Sequence, residues 1–173
     1  MPRLVAPSLE IVERARLWRN ADLAPWRTPY YLTADQQEQF YRDIVSNRHA
    51  AARYWGVSND YGEVVAFCGL CPLSAENGCG EISLVVDPDR AGNGYGAAVV
   101  ALVLAEAFDR MRLLTVHAEC YTSNPALGFW VKQADRWGAL KGLYPRRKFW
   151  QGRLHDAELF AFTAEEWRER RPA

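Results

Sequence analysis

The sequence predicts a single α/β domain of the α+β kind over residues 1–173, a mixed and mostly antiparallel sheet of six to seven strands flanked by about four helices. Three observations predict it. The first fifty residues carry mainly helical periodicity, and three strand patterns joined by short polar connections come next. A β-branched strand then runs into a glycine-rich turn that opens an apolar helix.

Leu4 to Ala6 fits a short first strand, and Ser8 is an N-cap for a helix bearing Ile11, Val12, Ala15, Leu17 and Trp18. Residues 21–31 hold two prolines and three aromatics, which end that helix in a loop. Thr33 with Gln36 forms a capping-box pair opening a second helix that runs through Phe40, Tyr41, Ile44 and Val45. Strands are expected at 52–58, 63–73 and 80–87, and connections this short join antiparallel neighbours. A helix over 94–111, a strand over 114–121 and a helix from Asn124 follow. Two closing strands are expected at 137–143 and 154–162, joined by 144–153, before Thr163 and Glu166 cap a last turn. No linker or repeat divides the chain.

Charge excludes some partners. Lys and Arg total 21 against 21 Asp and Glu, so no global positive field draws nucleic acid or anionic lipid. No apolar run reaches the roughly 18 residues of a membrane span, and the start lacks a secretory h-region, so a cytoplasmic protein is expected. The four cysteines, Cys68, Cys71, Cys79 and Cys120, are then reduced thiols. Cys68 and Cys71 lie three apart in a strand and point to opposite faces, so no metal is expected.

The chemistry is concentrated in residues 85–100. There Gly92, Asn93, Gly94, Tyr95, Gly96 and Ala97 link a β-branched strand to a helix carrying Val99, Val100, Leu102 and Val103. Glycines let the backbone approach a ligand, and the free amides at a helix start attract an anion, most naturally a diphosphate. The spacing Gly92-x-Gly94-x-x-Ala97 also fits a dinucleotide fingerprint, with Glu119 near the place of a ribose-binding acid. A nucleotide-dependent oxidoreductase is therefore a rival. It requires repeated βα units, whereas antiparallel strands precede this turn and only one further helix and two strands follow.

At these residues the chain resembles the GNAT superfamily of acyl-CoA-dependent N-acetyltransferases, in which a strand leads into the pattern (Arg/Gln)-x-x-Gly-x-(Gly/Ala). Gly94-Tyr95-Gly96 takes its Gly-x-Gly part; the Arg/Gln position falls on Ala91, with Arg90 one place early. The order of elements resembles the family's over nearly the whole chain. Trp18-Arg19-Asn20, Gly69-Leu70-Cys71-Pro72-Leu73 and Gly152 to Asp156 are most similar to the RimJ/RimL-type branch.

The resemblance implies acetyl-CoA as cosubstrate and a sheet splayed where the cradle strand and its neighbour part. Val85, Val86 and Asp87 would offer backbone groups to the pantetheine arm as an added strand does. Residues 92–97 would hold the diphosphate. Asn124 would contact the coenzyme or serve as a plain N-cap. Arg90, Lys132 and the run Arg146-Arg147-Lys148 would reach the outer phosphate or form a solvated basic turn. Glu81, in a Glu-Ile run at the start of its strand, matches a family position for the base that takes the amine's proton.

One observation needs no family. Thr115, His117, Glu119 and Tyr121 alternate with Val116, Ala118 and Cys120 on a strand expected to be central. A polar face there is costly unless it lines a wet cleft or is fully paired, which makes Glu119 and His117 further candidate bases. The tyrosine that many family members use to protonate the leaving thiol has no counterpart on the helix 124–132, which leaves Tyr121, Ser123 or water.

The function expected is direct transfer of acetyl to a primary amine, either a protein N-terminus or a small molecule. Trp26, Thr28, Tyr30 and Tyr31, with Tyr144 and Trp150, would form the acceptor pocket, or else pack a core or a homodimer. A coenzyme-binding module without turnover is the other alternative.

Overall fold

Residues 1–171 are described by a computed structural model. Seven strands, β1 (Arg3–Val5), β2 (Arg53–Ser58), β3 (Val64–Ser74), β4 (Cys79–Val86), β5 (Thr115–Tyr121), β6 (Leu140–Trp150) and β7 (Arg153–Thr163), form one sheet. Their order is β1-β2-β3-β4-β5-β7-β6, and every neighbouring pair is antiparallel except β4 and β5. A doubly wound nucleotide domain needs a run of parallel strands. This topology therefore excludes the oxidoreductase alternative.

Among the described residues, five α-helices cover the sheet: α1 (Leu9–Ala21), α2 (Ala34–Phe40), α3 (Tyr95–Ala105), α4 (Leu127–Trp137) and α5 (Ala164–Arg170). Ser8 caps α1 by accepting from the Ile11 amide at 3.3 Å, and Thr33 and Gln36 form the reciprocal capping box of α2. Both α2 and α3 end in a π-helical turn, Tyr41–Val45 and Glu106–Arg110. Along β3, alternation sends Ala66, Cys68 and Leu70 into the larger core with Val99, Val100, Val103 and Phe160, while Phe67 faces Ile11, Val12 and Ala15 of α1 on the other side. No helix among the described residues is long and apolar enough to cross a membrane.

The C-terminal third differs from expectation in three places. Asn124 does not begin a helix: its Oδ1 accepts from the Ala126 amide in a separate turn, and α4 starts at Leu127. Trp137 belongs to α4 rather than a strand, because it is buried against Trp167 with ring centroids 5.0 Å apart, and Gly138 ends the helix at φ +67°. Residues 144–150 continue β6 through a register shift between Tyr144 and Lys148. The connection shrinks to Gln151-Gly152, both at positive φ (50° and 79°), the conformation that tight hairpins favour.

The expected last turn is a full helix. Thr163 caps α5 at the Glu166 amide, and Trp167 closes the core, its indole N–H donating to both carboxylate oxygens of Asp109 at 3.2 Å. Trp167→Ala should cost about 3–5 kcal/mol, read as a lower denaturant midpoint at an unchanged slope.

Candidate active site

Between β4 and β5 the sheet opens. The two strands pair only at Cys79↔Thr115, Gly80↔Val116 and Glu81↔His117, although β3 follows β4 to Val86 and β7 follows β5 to Tyr121. The Asp87 amide donates to Val65 O across the β3–β4 pair at 2.9 Å. Because main-chain groups alternate sides along a strand, Val85 and Ser83 also face β3, and Val86 and Leu84 turn their N–H and C=O into the gap. Val86 is thus free for an added strand. Val85 and Asp87, expected in that role, have their amides turned to β3; Leu84, two residues before Val86, has its main-chain groups on the same side as Val86.

At the far end of the gap lies the glycine turn. Asp87 caps a 3-10 turn over Pro88–Arg90 by accepting from the Asp89 amide at 3.1 Å, and Arg90 bonds Glu63 at 2.9 Å. Gly92 and Gly94 stand at φ +81° and +80°, and a Cβ on either would meet only open space. Gly94 caps α3 with no side chain on the helix's first amides, and a Cβ on Gly96 would come within 3.2 Å of the Phe129 ring. The bend thus presents unpartnered amides, the positive end of a helix and no obstructing side chain, which suits an anion as large as a diphosphate. Among the residues expected there, Asn93 and Ala97 complete the bend, and Tyr95 begins the helix.

At the near end, two carboxylates share a cation. Arg27 Nη2 lies 2.7 Å from Glu81 Oε1 and 3.5 Å from Glu119 Oε2, and Arg27 Nε donates to Tyr121 Oη at 3.4 Å. Arg147 Nε reaches Glu119 at 3.2 Å, and His117 Nε2 stands 3.6 Å from Glu81 Oε2. Burial alone would push the Glu81 carboxyl up, but His117 and Arg27 outweigh it and hold the group below the usual carboxylate range. Burial pushes the Tyr121 phenol up and Glu119 adds to the rise, although Arg27 opposes it, so the phenol keeps its proton.

Of the polar face of β5, Glu119 and Tyr121 line an open cavity and are also paired, which meets both of the conditions that such a face allows. Glu81, Glu119, Tyr121, Asn124 and Arg27 all border one cavity of about 220 Å³, roofed by Trp26 and Thr28. An inner cavity of about 250 Å³ lies beside it, walled by Ala15, Leu32, Phe40 and Phe67, and shares Arg19, Trp26, Tyr54, Ser83 and Leu84 with the outer one.

An acetyltransferase (GNAT) domain model matches residues 3–129. The chain belongs to the GNAT acetyltransferase family. It is an acetyl-CoA-dependent N-acetyltransferase. No curated protein matches the chain in sequence. Among solved structures, the spermidine N-acetyltransferase SpeG of Vibrio cholerae in complex with CoA and spermine is 16% identical, with a TM-score of 0.85 over 96% of this chain and 98% of that one. A chimera of the same enzyme with hSSAT is 18% identical, with a TM-score of 0.85 over 98% and 99%. The same enzyme in complex with manganese ions is 17% identical, with a TM-score of 0.80 over 99% and 97%.

In this GNAT acetyltransferase the aromatic loop is used unevenly. Trp26 enters both cavities, its indole N–H bonded to Asp22 O at 2.8 Å, whereas Tyr30 and Tyr31 are 54% and 70% exposed and border neither cavity. Tyr144 lies on exposed β6, where the Arg147 guanidinium packs 4.5 Å above its ring, and touches neither cavity. The basic run is no solvated turn. Arg147 holds Glu119, and Lys148, only 5% exposed, donates to Ala24 O with its ammonium 5.0 Å from the rings of both Tyr121 and Trp150. Arg27 had no sequence signal: one arginine in a proline-flanked loop acquires its role only by crossing to strands more than fifty residues away.

A carboxyl whose ionisation is favoured by folding adds stability above its ordinary value and loses it as pH falls through the depressed one. Glu81→Gln should therefore flatten the acid limb of the stability profile below the ordinary glutamate range of about 4.3, measured by denaturant titration across pH. Arg27→Met should raise the Glu81 carboxyl pKa, read by NMR titration.

Proposed function

We propose that the chain transfers acetyl from acetyl-CoA to the primary amine of a small molecule or a peptide N-terminus, by direct attack in a ternary complex held in the β4–β5 gap. The observation that carries this is the gap itself, which has an open anion cradle at one end, free strand edges along it and a carboxylate cluster at the other. One domain spanning the whole chain does this work.

Gly92, Gly94, Tyr95, Gly96 and Ala97 hold the diphosphate through main-chain amides, and Asn93, whose amide is given to Arg90 O at 3.4 Å, shapes the bend between them. Leu84 and Val86 take the pantetheine amides as a neighbouring strand would, and Asn124, whose Oδ1 is spent on Ala126, offers its side-chain amide N–H groups. Bound acetyl-CoA supplies a thioester carbonyl that an amine can attack.

The amine arrives as an ammonium of pKa ~10.4. Glu81, ionised and partly screened by Arg27, attracts it. A carboxylate held low is a poor final acceptor for that proton, so Glu81 passes it on to water in the open cavity, while His117 beside Oε2 holds the carboxylate in place. Glu119 shares Arg27 and keeps the cation from neutralising Glu81 entirely. Tyr121, protonated and facing the same cavity, donates to the departing thiolate, filling the role that the helix after β5 leaves empty.

Direct attack also fits the thiols. Burial, with Glu158 adding to it, pushes the Cys120 thiol up to about 12, too high for a nucleophile at neutral pH. Cys71 borders the outer cavity, and under direct transfer Cys71→Ser keeps turnover within about twofold, whereas an acetyl-cysteine route would lose it. Glu81→Gln should lower kcat/KM for the amine by about a hundredfold with an unchanged acetyl-CoA Kd, measured by thiol release and calorimetry. Gly94→Val, forced into a left-handed conformation that costs about 1–2 kcal/mol, should abolish the acetyl-CoA-induced rise in Tm. Unchanged coenzyme binding in that variant would remove the cradle from the site.

A further inference from the structure

Arg19, in the last turn of α1, borders both cavities. Its Nη2 donates to Thr28 O at 3.1 Å and Thr28 Oγ1 at 2.5 Å, and its guanidinium packs 5.5 Å from the Trp26 ring centre. Its Nε is buried with no acceptor. Of the three guanidiniums at the cleft, Arg27 holds Glu81 and Glu119 and Arg147 holds Glu119; Arg19 alone, among the described residues, has no carboxylate within 4 Å. Burial disfavours its charge, and the groups beside it that oppose this are phenols, Tyr30 and Tyr54, rather than carboxylates.

A half-buried guanidinium without a counter-ion is stabilised by an anion that reaches its open edge, and its planar fork suits a carboxylate. On one side of Arg19 lies the Glu81 cluster. On the other lies the inner cavity of about 250 Å³, whose walls are mostly apolar, with Ala15, Leu32, Phe40 and Phe67 beside Gln36 and Gln37, and which has room for a side chain of leucine or phenylalanine size.

We propose that the acceptor is a free α-amino acid with an apolar side chain, its carboxylate on Arg19, its amine toward Glu81 and its side chain in the inner cavity. This rests on the acetyl-transfer reading above and names the acceptor for it. A polyamine lacks the carboxylate and would bring a second ammonium to a cleft where three guanidiniums already face two carboxylates.

The test is thiol release from acetyl-CoA with L-phenylalanine, phenethylamine and spermidine, together with the Tm shift that acetyl-CoA produces alone. L-Phenylalanine should exceed phenethylamine, which differs only by the carboxylate, at least about a hundredfold in kcat/KM, and spermidine should be weaker still. In Arg19→Gln that ratio should fall toward one, mainly through KM, while Arg19→Lys keeps part of it. Acetyl-CoA should still raise the Tm of both variants, which shows them folded. If Arg19→Gln does not fold, the wild-type ratio and Arg19→Lys decide.

Equal or better turnover of phenethylamine or spermidine overturns the acceptor assignment and leaves acetyl transfer standing. An unchanged ratio in Arg19→Gln, or coenzyme binding with no thiol release on L-phenylalanine, also overturns it. Absence of both the Tm shift and thiol release in the wild type removes the acetyl-transfer reading itself, and the acceptor with it.

Discussion

Everything in the site depends on two parallel strands that stop pairing. After Glu81↔His117, β4 stays bonded to β3 and β5 to β7, and each outer partner draws its strand away from the other. Sheet twist makes such divergence natural where the flanking pairs are long and antiparallel. The cost is a stretch of main-chain donors and acceptors without protein partners, tolerable only where water or a ligand reaches them. One geometric choice thus supplies the strand edge, separates cradle from carboxylates and gives the polar face of β5 somewhere to point.

The electrostatics follow from that opening. Glu81 and Glu119 sit on neighbouring strands where the pairing ends, close enough to repel. Arg27, delivered by the loop between α1 and α2, bridges them, and Arg147 from β6 takes the remaining side of Glu119. The cluster therefore joins four separate parts of the chain, and none of its members is held by its own element alone. Arg19 departs from this pattern of matched charge, which is why the acceptor question concentrates on it.

Much of this was legible from the chain, and the remainder fails for identifiable reasons. Caps at Ser8, Thr33 and Thr163 are local chemistry, so α1, α2 and α5 begin where short-range patterns place them. The alternation in 115–121 disclosed a polar face before any partner for it was known. Trp137 misled because an aromatic beside glycine suits a strand start as well as a helix end, and only its contact with Trp167, thirty residues on, decides. Tyr30 and Tyr31 had the composition of a pocket, but they follow a tight turn in which the Tyr30 amide donates to Thr28 O, stay more than half exposed and border neither cavity. Which of Val85, Val86 and Asp87 had free edges depended on the phase of bonding to β3, which no single strand encodes.

Lys148 carries a consequence for the order of assembly. Buried between Tyr121 and Trp150, it fastens the 22–28 segment to the β6–β7 hairpin through Ala24 O, so a wall formed by early residues is braced by one 124 positions further on. A nascent chain emerging from the ribosome can build α1 to α4 and its first five strands, yet the 22–28 wall of the cavity stays unbraced until that hairpin has followed. Synthesis of the hairpin and onset of activity are thereby linked by one ammonium group.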